Sequence, residues 1–186
     1  MKMILIPLRA SLVLLLLCGV VYPLVTTGIA QVVFPYQANG SLMTQGNTIQ
    51  GSMLIAQSVD SPKLFHPRAS NAKYDPTASA GSNQAVASDT YLADQKVKVE
   101  EWRKANPALQ TVPADLVTGS GSGLDPDLSP NGALAQIPGI SKATGIPEAT
   151  LTSLVQSTTK GRSLGVFGEP HVNVNELNRS ILKLIQ

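Results

Sequence analysis

Cysteine, histidine, aromatic rings and charge are all scarce in this chain of 186 residues, and each scarcity removes a class of chemistry. The single cysteine, Cys18, sits in an apolar stretch, so neither a disulfide framework nor a cysteine metal cluster organises the rest of the chain. The two histidines, His66 and His171, have no nearby second ligand at metal spacing, and no metal site is expected. Charged residues make up 14 % and the formal net charge is +2, with no basic stripe, which leaves no strong pull toward nucleic acid. Aromatics at 4 %, set against 15 glycines and 13 prolines, point to short elements with frequent turns.

Charge is missing altogether between Arg9 and Asp60. Within that gap, Ala10 to Ala30 forms an apolar run of 21 residues, enough for a helix to cross the roughly 30 Å hydrocarbon core of a bilayer. Ser11, Thr26 and Thr27 can return their hydroxyls to helix carbonyls in lipid. Lys2 and Arg9 precede the run, so the positive-inside rule puts the start in the cytoplasm and the remainder outside. Gly28-Ile29-Ala30 has the small-x-small form of a signal cleavage site, but the apolar stretch is longer than a signal core, and retention is expected. Bulky Leu17 ahead of Cys18 argues against a lipid anchor. Gly19, Pro23 and Thr27 recur every four residues and form a small-residue stripe suited to packing against other membrane helices. Residues 1–35 are therefore read as a transmembrane helix with a short cytoplasmic start, and residues 36–186 as one extracytoplasmic domain of the α+β class.

Beyond the span, Gln31 to Ser58 reads as a linker with a turn at Asn39-Gly40, leading into a short buried strand over Ser52 to Val59. Pro62 and Pro67 enforce loop structure, and Asn71 to Ala87 is an exposed loop. Ser88 caps a helix whose face carries Tyr91, Leu92, Gln95, Val99 and Trp102, ended by Asn106-Pro107. It is the most amphipathic element expected outside the membrane. Asp94 with Lys98, and Glu100 with Lys104, have the acid-first spacing that supports a helix. Val112 to Thr118 reads as a strand broken by Gly119 to Gly123. Ser129-Pro130, Ile137-Pro138 and Ile146-Pro147 predict three short helices in series. Gly165 to Pro170 turns the chain, with room for a short strand at Leu164 to Phe167. Asn173 and Glu176 have the spacing of a capping box ahead of a face formed by Val174, Leu177, Ile181 and Leu184.

Chemical motifs are weak. Gly119-Ser120-Gly121-Ser122-Gly123 lacks the Lys-Ser/Thr ending of a phosphate loop and the spacing of a nucleophile elbow, so a structural turn is expected. Asp125 and Asp127 are separated by Pro126, which spoils a calcium-loop pattern, and loop stabilisation or capping is the better reading. Ile137-Pro138-Gly139-Ile140 resembles the hairpin of DNA-binding modules, but an outward-facing domain meets no DNA. No nucleophile–base pairing stands out, and no catalytic residue is assigned.

In order along the chain, Thr27-Gly28-Ile29-Ala30-Gln31, Gln37-Ala38-Asn39-Gly40-Ser41, Gly81-Ser82-Asn83, Val112-Pro113-Ala114-Asp115-Leu116-Val117, Gly121-Ser122-Gly123-Leu124-Asp125-Pro126 and Leu164-Gly165-Val166-Phe167-Gly168-Glu169-Pro170-His171-Val172-Asn173 resemble the C subunit of the Kdp potassium-transporting P-type ATPase. His66-Pro67-Arg68-Ala69-Ser70 departs from the family's usual His-Gly-Arg-Pro-Ser, and His171 stands where arginine is common. The resemblance implies a non-catalytic subunit of the plasma membrane, assembled with a potassium-binding channel-like subunit, an ATP-hydrolysing P-type subunit and a small single-span subunit. It also implies a catalytic chaperone that raises the pump's ATP affinity, with Gln136 matching a glutamine proposed to touch nucleotide. No cofactor is expected to bind tightly; ATP enters only through the partner ATPase subunit. A membrane-tethered extracytoplasmic enzyme or solute-binding protein is the alternative.

Overall fold

A computed structural model of the protein describes residues 2–185 and divides the chain into two compact units, the first ending at Gln50 and the second starting at Gly51. In the first unit, helix α1 (Lys2–Leu16) passes through a wide π turn at Leu17–Val21 into α2 (Tyr22–Val33). Together they supply an apolar helix over Met3–Val33, longer than the run foreseen, with no buried side chain in α2 or the π turn. The wide turn has a local cause. Pro23 has no N–H to give, and its ring crowds the carbonyl four residues earlier, at Gly19; loosening the turn ahead of it relieves that crowding. The Tyr22 N–H accordingly bonds the Leu17 carbonyl, five residues back.

What reads as a linker holds structure. A one-turn helix α3 (Pro35–Ala38) ends in the Asn39-Gly40 turn, and strands β1 (Leu42–Gln45) and β2 (Thr48–Ser52) pair as a ribbon across Gly46-Asn47. The strand expected over Ser52 to Val59 does not form. Residues 53–59 run irregularly: Asn173 and Asn175 take the Met53 and Ile55 carbonyls, and only Ala56 is buried.

The second unit is built on α6 (Pro130–Thr144), α7 (Glu148–Thr158) and α8 (Val174–Leu184), with β3 (Asp127–Leu128) and β4 (Val172–Asn173) joining antiparallel beside them. Its core is Phe65, Leu128, Ala133, Ile137, Ile140, Leu151, Val155, Val172, Val174, Leu177 and Ile181. Ala133, Ile137 and Ile140 follow helical spacing straight through Pro138, and that buried face holds α6 together across the missing hydrogen bond, so two helices replace the three expected. The helix starts on Ser129, whose Oγ accepts from the Gly132 N–H at 3.0 Å, and stops at Gly145, whose φ of 77° suits a residue without Cβ. Helix α8 begins as foreseen: Asn173 Oδ1 accepts from the Glu176 N–H at 3.1 Å, and Val174, Leu177 and Ile181 are buried. Leu184 at its end is exposed.

Two further expectations are corrected. Val112 to Thr118 contains not a strand but a single helical turn, α5 (Ala114–Val117), started by Pro113 at φ −58° and closed by the Thr118 hydroxyl on the Ala114 carbonyl at 2.7 Å. Leu164 to Phe167 is a tight turn closed by a Ser163–Phe167 bridge rather than a strand. Helix α4 (Asp89–Ala105) has the expected bounds, with Ser88 capping the Tyr91 N–H, yet it buries no residue and is not the most amphipathic element. That place belongs to α8, which sets buried Val174, Leu177 and Ile181 against exposed Arg179 and Lys183. Helix α4 serves another need: Trp102 Nε1 and Lys98 Nζ donate to the Leu116 and Val117 carbonyls, each at 3.3 Å, which the short α5 leaves without helical partners. Lys98 is thus drawn to α5 rather than to Asp94.

Candidate functional site

Three carboxamides at the start of α8 and one on α6 hold the second unit's long irregular segment. Phe65 is fully buried without a neighbouring strand, so its peptide groups need partners inside the protein. Asn178 supplies them: its Oδ1 accepts from the Phe65 N–H at 2.7 Å and its Nδ2 donates to the Phe65 carbonyl at 2.8 Å. Gln136 does the same next door, accepting from the His66 N–H at 2.8 Å and donating to the His66 carbonyl at 3.0 Å. A carboxamide carries the same donor and acceptor as a peptide unit, so the pair stands in for an adjacent strand. Asn175 Nδ2 donates to the Ser52 and Ile55 carbonyls, and Asn173 Nδ2 to the Met53 carbonyl. The residue the sequence singles out, Gln136, is therefore buried, 6 % exposed, with both ends of its amide engaged.

The glycine run forms the second half of this region. Ser120 is buried and its Oγ accepts from the Gly123 N–H at 3.0 Å. Arg68 reaches over the loop, donating to Thr118 Oγ1 at 3.1 Å and the Gly119 carbonyl at 3.0 Å while pairing with Asp125 at 3.3 Å. Residues 69–80 run alongside: the Ser120 N–H bonds the Ala69 carbonyl, the Ala80 N–H bonds the Ser122 carbonyl, and the Ser70 hydroxyl donates to the Gly123 carbonyl at 2.6 Å. Gly123 sits at φ 74° with Ala72 Cβ and the Ala80 carbonyl oxygen 2.8 Å from where a Cβ would stand, so only glycine fits. Tyr74, whose hydroxyl donates to the Arg68 carbonyl, has its pKa raised by burial.

An open cavity of about 890 Å³ lies beside this loop, lined among others by Arg68, Asp115, Asp125, Asp127, Glu169 and His171. Its carboxylates serve the fold. Asp115 accepts from the Ser129 N–H at 2.7 Å, Asp125 from the Asp127 N–H at 3.0 Å, and Asp127 from Asn173 Nδ2 at 3.1 Å. Among the described residues, no three histidine, cysteine, aspartate or glutamate side chains gather where they could hold a metal. The Ile137-Pro138-Gly139-Ile140 sequence is no hairpin but the middle of α6, with Ile137 and Ile140 in the core.

On the apolar helix, Gly19, Pro23 and Thr27 are exposed, and a Cβ added at Gly19 would meet nothing within 4 Å. Thr26 returns its hydroxyl to the Tyr22 and Pro23 carbonyls at 2.9 and 3.1 Å, the carbonyl bonding expected of hydroxyls in lipid. The π turn was not foreseen, although Pro23 inside an apolar run is a sufficient signal for a local helix defect. The carboxamide ties were missed for another reason: Asn178 and Phe65 are 113 residues apart, and no spacing rule connects them.

Residues 4–183 match the family model described as KdpC, the K+-transporting ATPase c chain. The potassium-transporting ATPase KdpC subunit of Bacillus cereus strain Q1 is 46 % identical over 181 residues, covering 96 % of this chain and 94 % of the relative. The subunit of the same name from Caldanaerobacter subterraneus subsp. tengcongensis is 43 % identical over 180 residues, covering 96 % and 93 %.

Proposed function

The chain belongs to the KdpC family of K+-transporting ATPase c chains, and from that premise we propose that it is a non-catalytic accessory subunit that supports assembly and stability of an ATP-driven potassium import complex. Its partners in this reading are a potassium-binding channel-like subunit, an ATP-hydrolysing P-type subunit and a small single-span subunit. The observation that carries the reading is the family match over nearly the whole chain, including the apolar helix Met3–Val33. That helix threads the plasma membrane, and the Gly19, Pro23 and Thr27 face allows close approach of another membrane helix.

Lys2 and Arg9 mark the cytoplasmic end, which puts the second unit outside the cell, across the bilayer from ATP. Any rise in ATP affinity is then transmitted through the complex, which requires contacts that differ between pump states. The engaged amide of Gln136 supports a structural role over direct nucleotide contact. Gln136→Leu leaves the His66 N–H and carbonyl without their partner; we expect a loss of about 2 kcal/mol in unfolding free energy, with an unchanged KM for ATP in whatever complex assembles. A raised KM at normal assembly would assign nucleotide to Gln136.

Purification of the tagged full-length chain from membranes in mild detergent tests the main reading. Co-recovery of a P-type ATPase subunit supports it. A solitary protein that binds or turns over a small solute in the 890 Å³ cavity would instead support a tethered enzyme or solute-binding protein.

A further inference from the structure

Phenylalanine is rare here, three in the chain; Phe65 fills the centre of the core, whereas Phe167 stands near the tip of a hairpin with 66 % of its surface open. Leu164 and Val166 beside it are 90 % and 68 % exposed, and every residue from 161 to 170 is exposed. Apolar side chains on a loose loop would fold back to shed water. This loop is not loose. Lys160 and His171 exchange backbone hydrogen bonds at 2.9 and 3.0 Å, Ser163 and Phe167 at 2.8 and 3.0 Å, and Arg162 grips both oxygens of Glu169 at 2.7 and 2.8 Å. The next residue after the stem, Val172, is fully buried in β4, so the hairpin is rooted in the core.

Leu164 holds a φ of 54°, a left-handed conformation that a leucine adopts only at a cost, and it does so while fully presented to solvent. The Leu164 side chain is not buried in return. A rigid tip that already shows its apolar side chains does, however, dock without further ordering.

The charges indicate what it meets. Arg162 is neutralised by Glu169 and Lys160 by Glu176 at 3.3 Å, which leaves the stem without the free cations that hold a loop to anionic lipid headgroups. Three apolar side chains are too little surface to hold two copies together by themselves, whereas a partner already engaged by the apolar helix needs the tip only to add to an existing contact. We propose that residues 161–170 form a docking finger that seats Leu164, Val166 and Phe167 in an uncharged apolar socket on the extramembrane surface of a partner subunit of the transport complex. This rests on the accessory-subunit reading above.

The test uses the full-length chain co-expressed with its partner subunits, carrying Val166→p-benzoylphenylalanine and irradiated in intact membranes. The finger predicts a covalent adduct with a partner polypeptide. An adduct with lipid, an adduct with a second copy of this chain, or no adduct while the partners still co-purify would each overturn the finger alone. Failure of the unsubstituted chain to recover any partner would overturn the accessory-subunit reading and the finger with it. In a second arm, the Leu164→Ser, Phe167→Ser double variant should lower partner recovery by at least about tenfold. Its unfolding midpoint, followed through Trp102 fluorescence, should stay at the unsubstituted value because the tip is uncovered. Full recovery of partners by that variant would contradict the proposal.

Discussion

Two loops of the second unit, residues 119–123 and 164–168, each turn on glycine at positive φ, yet they are opposite in use. The first is knitted inward: Ser120 is buried, Arg68 spans the loop, and Gly123 has no room for a methyl group. The second faces outward, and a Cβ added at Gly165 or Gly168 would meet nothing. Gly123 in the inward loop answers to both space and φ, whereas Gly165 and Gly168 in the outward loop answer to φ alone, and the neighbouring apolar side chains are left for another molecule. Positive φ by itself therefore does not distinguish a structural turn from a recognition element; what surrounds it does.

The contrast can be broken by substitution. Gly123→Ala combines a left-handed alanine with overlap on Ala72 and the Ala80 carbonyl, and should cost about 3 kcal/mol, read as a lowered denaturant midpoint of Trp102 fluorescence. Gly165→Ala meets only the conformational penalty at φ 76° and should cost about 1 kcal/mol. Equal losses at the two positions would remove the distinction between the loops.

Alkaline pH sharpens the same comparison on the inward side. Burial raises the Tyr74 pKa above its ordinary 10.0, so the stability its neutral form contributes is complete below the unfolded value and is lost as pH rises through the folded one. Between about pH 9 and 11 the unsubstituted chain should therefore lose more stability than Tyr74→Phe, which keeps the buried ring and cannot ionise. Parallel losses in paired denaturation curves would show that Tyr74 is not held as described. This is the smallest of the three effects, since the residue is only half-buried.

Local chemistry made some of this fold legible. The ends of α4 follow from Ser88 and Asn106-Pro107, the start of α8 from Asn173 and Glu176, and the long apolar helix from an uncharged apolar run. Where proline was the main clue, the reading failed in both directions. Pro138 reads as a helix start but lies inside α6, carried by Ala133, Ile137 and Ile140 on the core, and Pro113 reads as part of a strand but opens a helical turn. In the candidate site, Gln136 was singled out by resemblance, yet its partner could not be read. Its carboxamide bonds the backbone of His66, 70 residues away, and backbone groups carry no sequence signal. The two-residue pairing of Asp127–Leu128 with Val172–Asn173 is invisible for the same reason.

Whether the second unit can reach ATP turns on which side of the membrane it occupies. Replacing Cys18 with serine and placing a single cysteine at exposed Gln84 gives one site for a membrane-impermeant thiol reagent on intact cells. Labelling of Gln84→Cys before the cells are opened is the predicted result; labelling only after lysis would place the domain with the cell's ATP and contradict transmission through the complex.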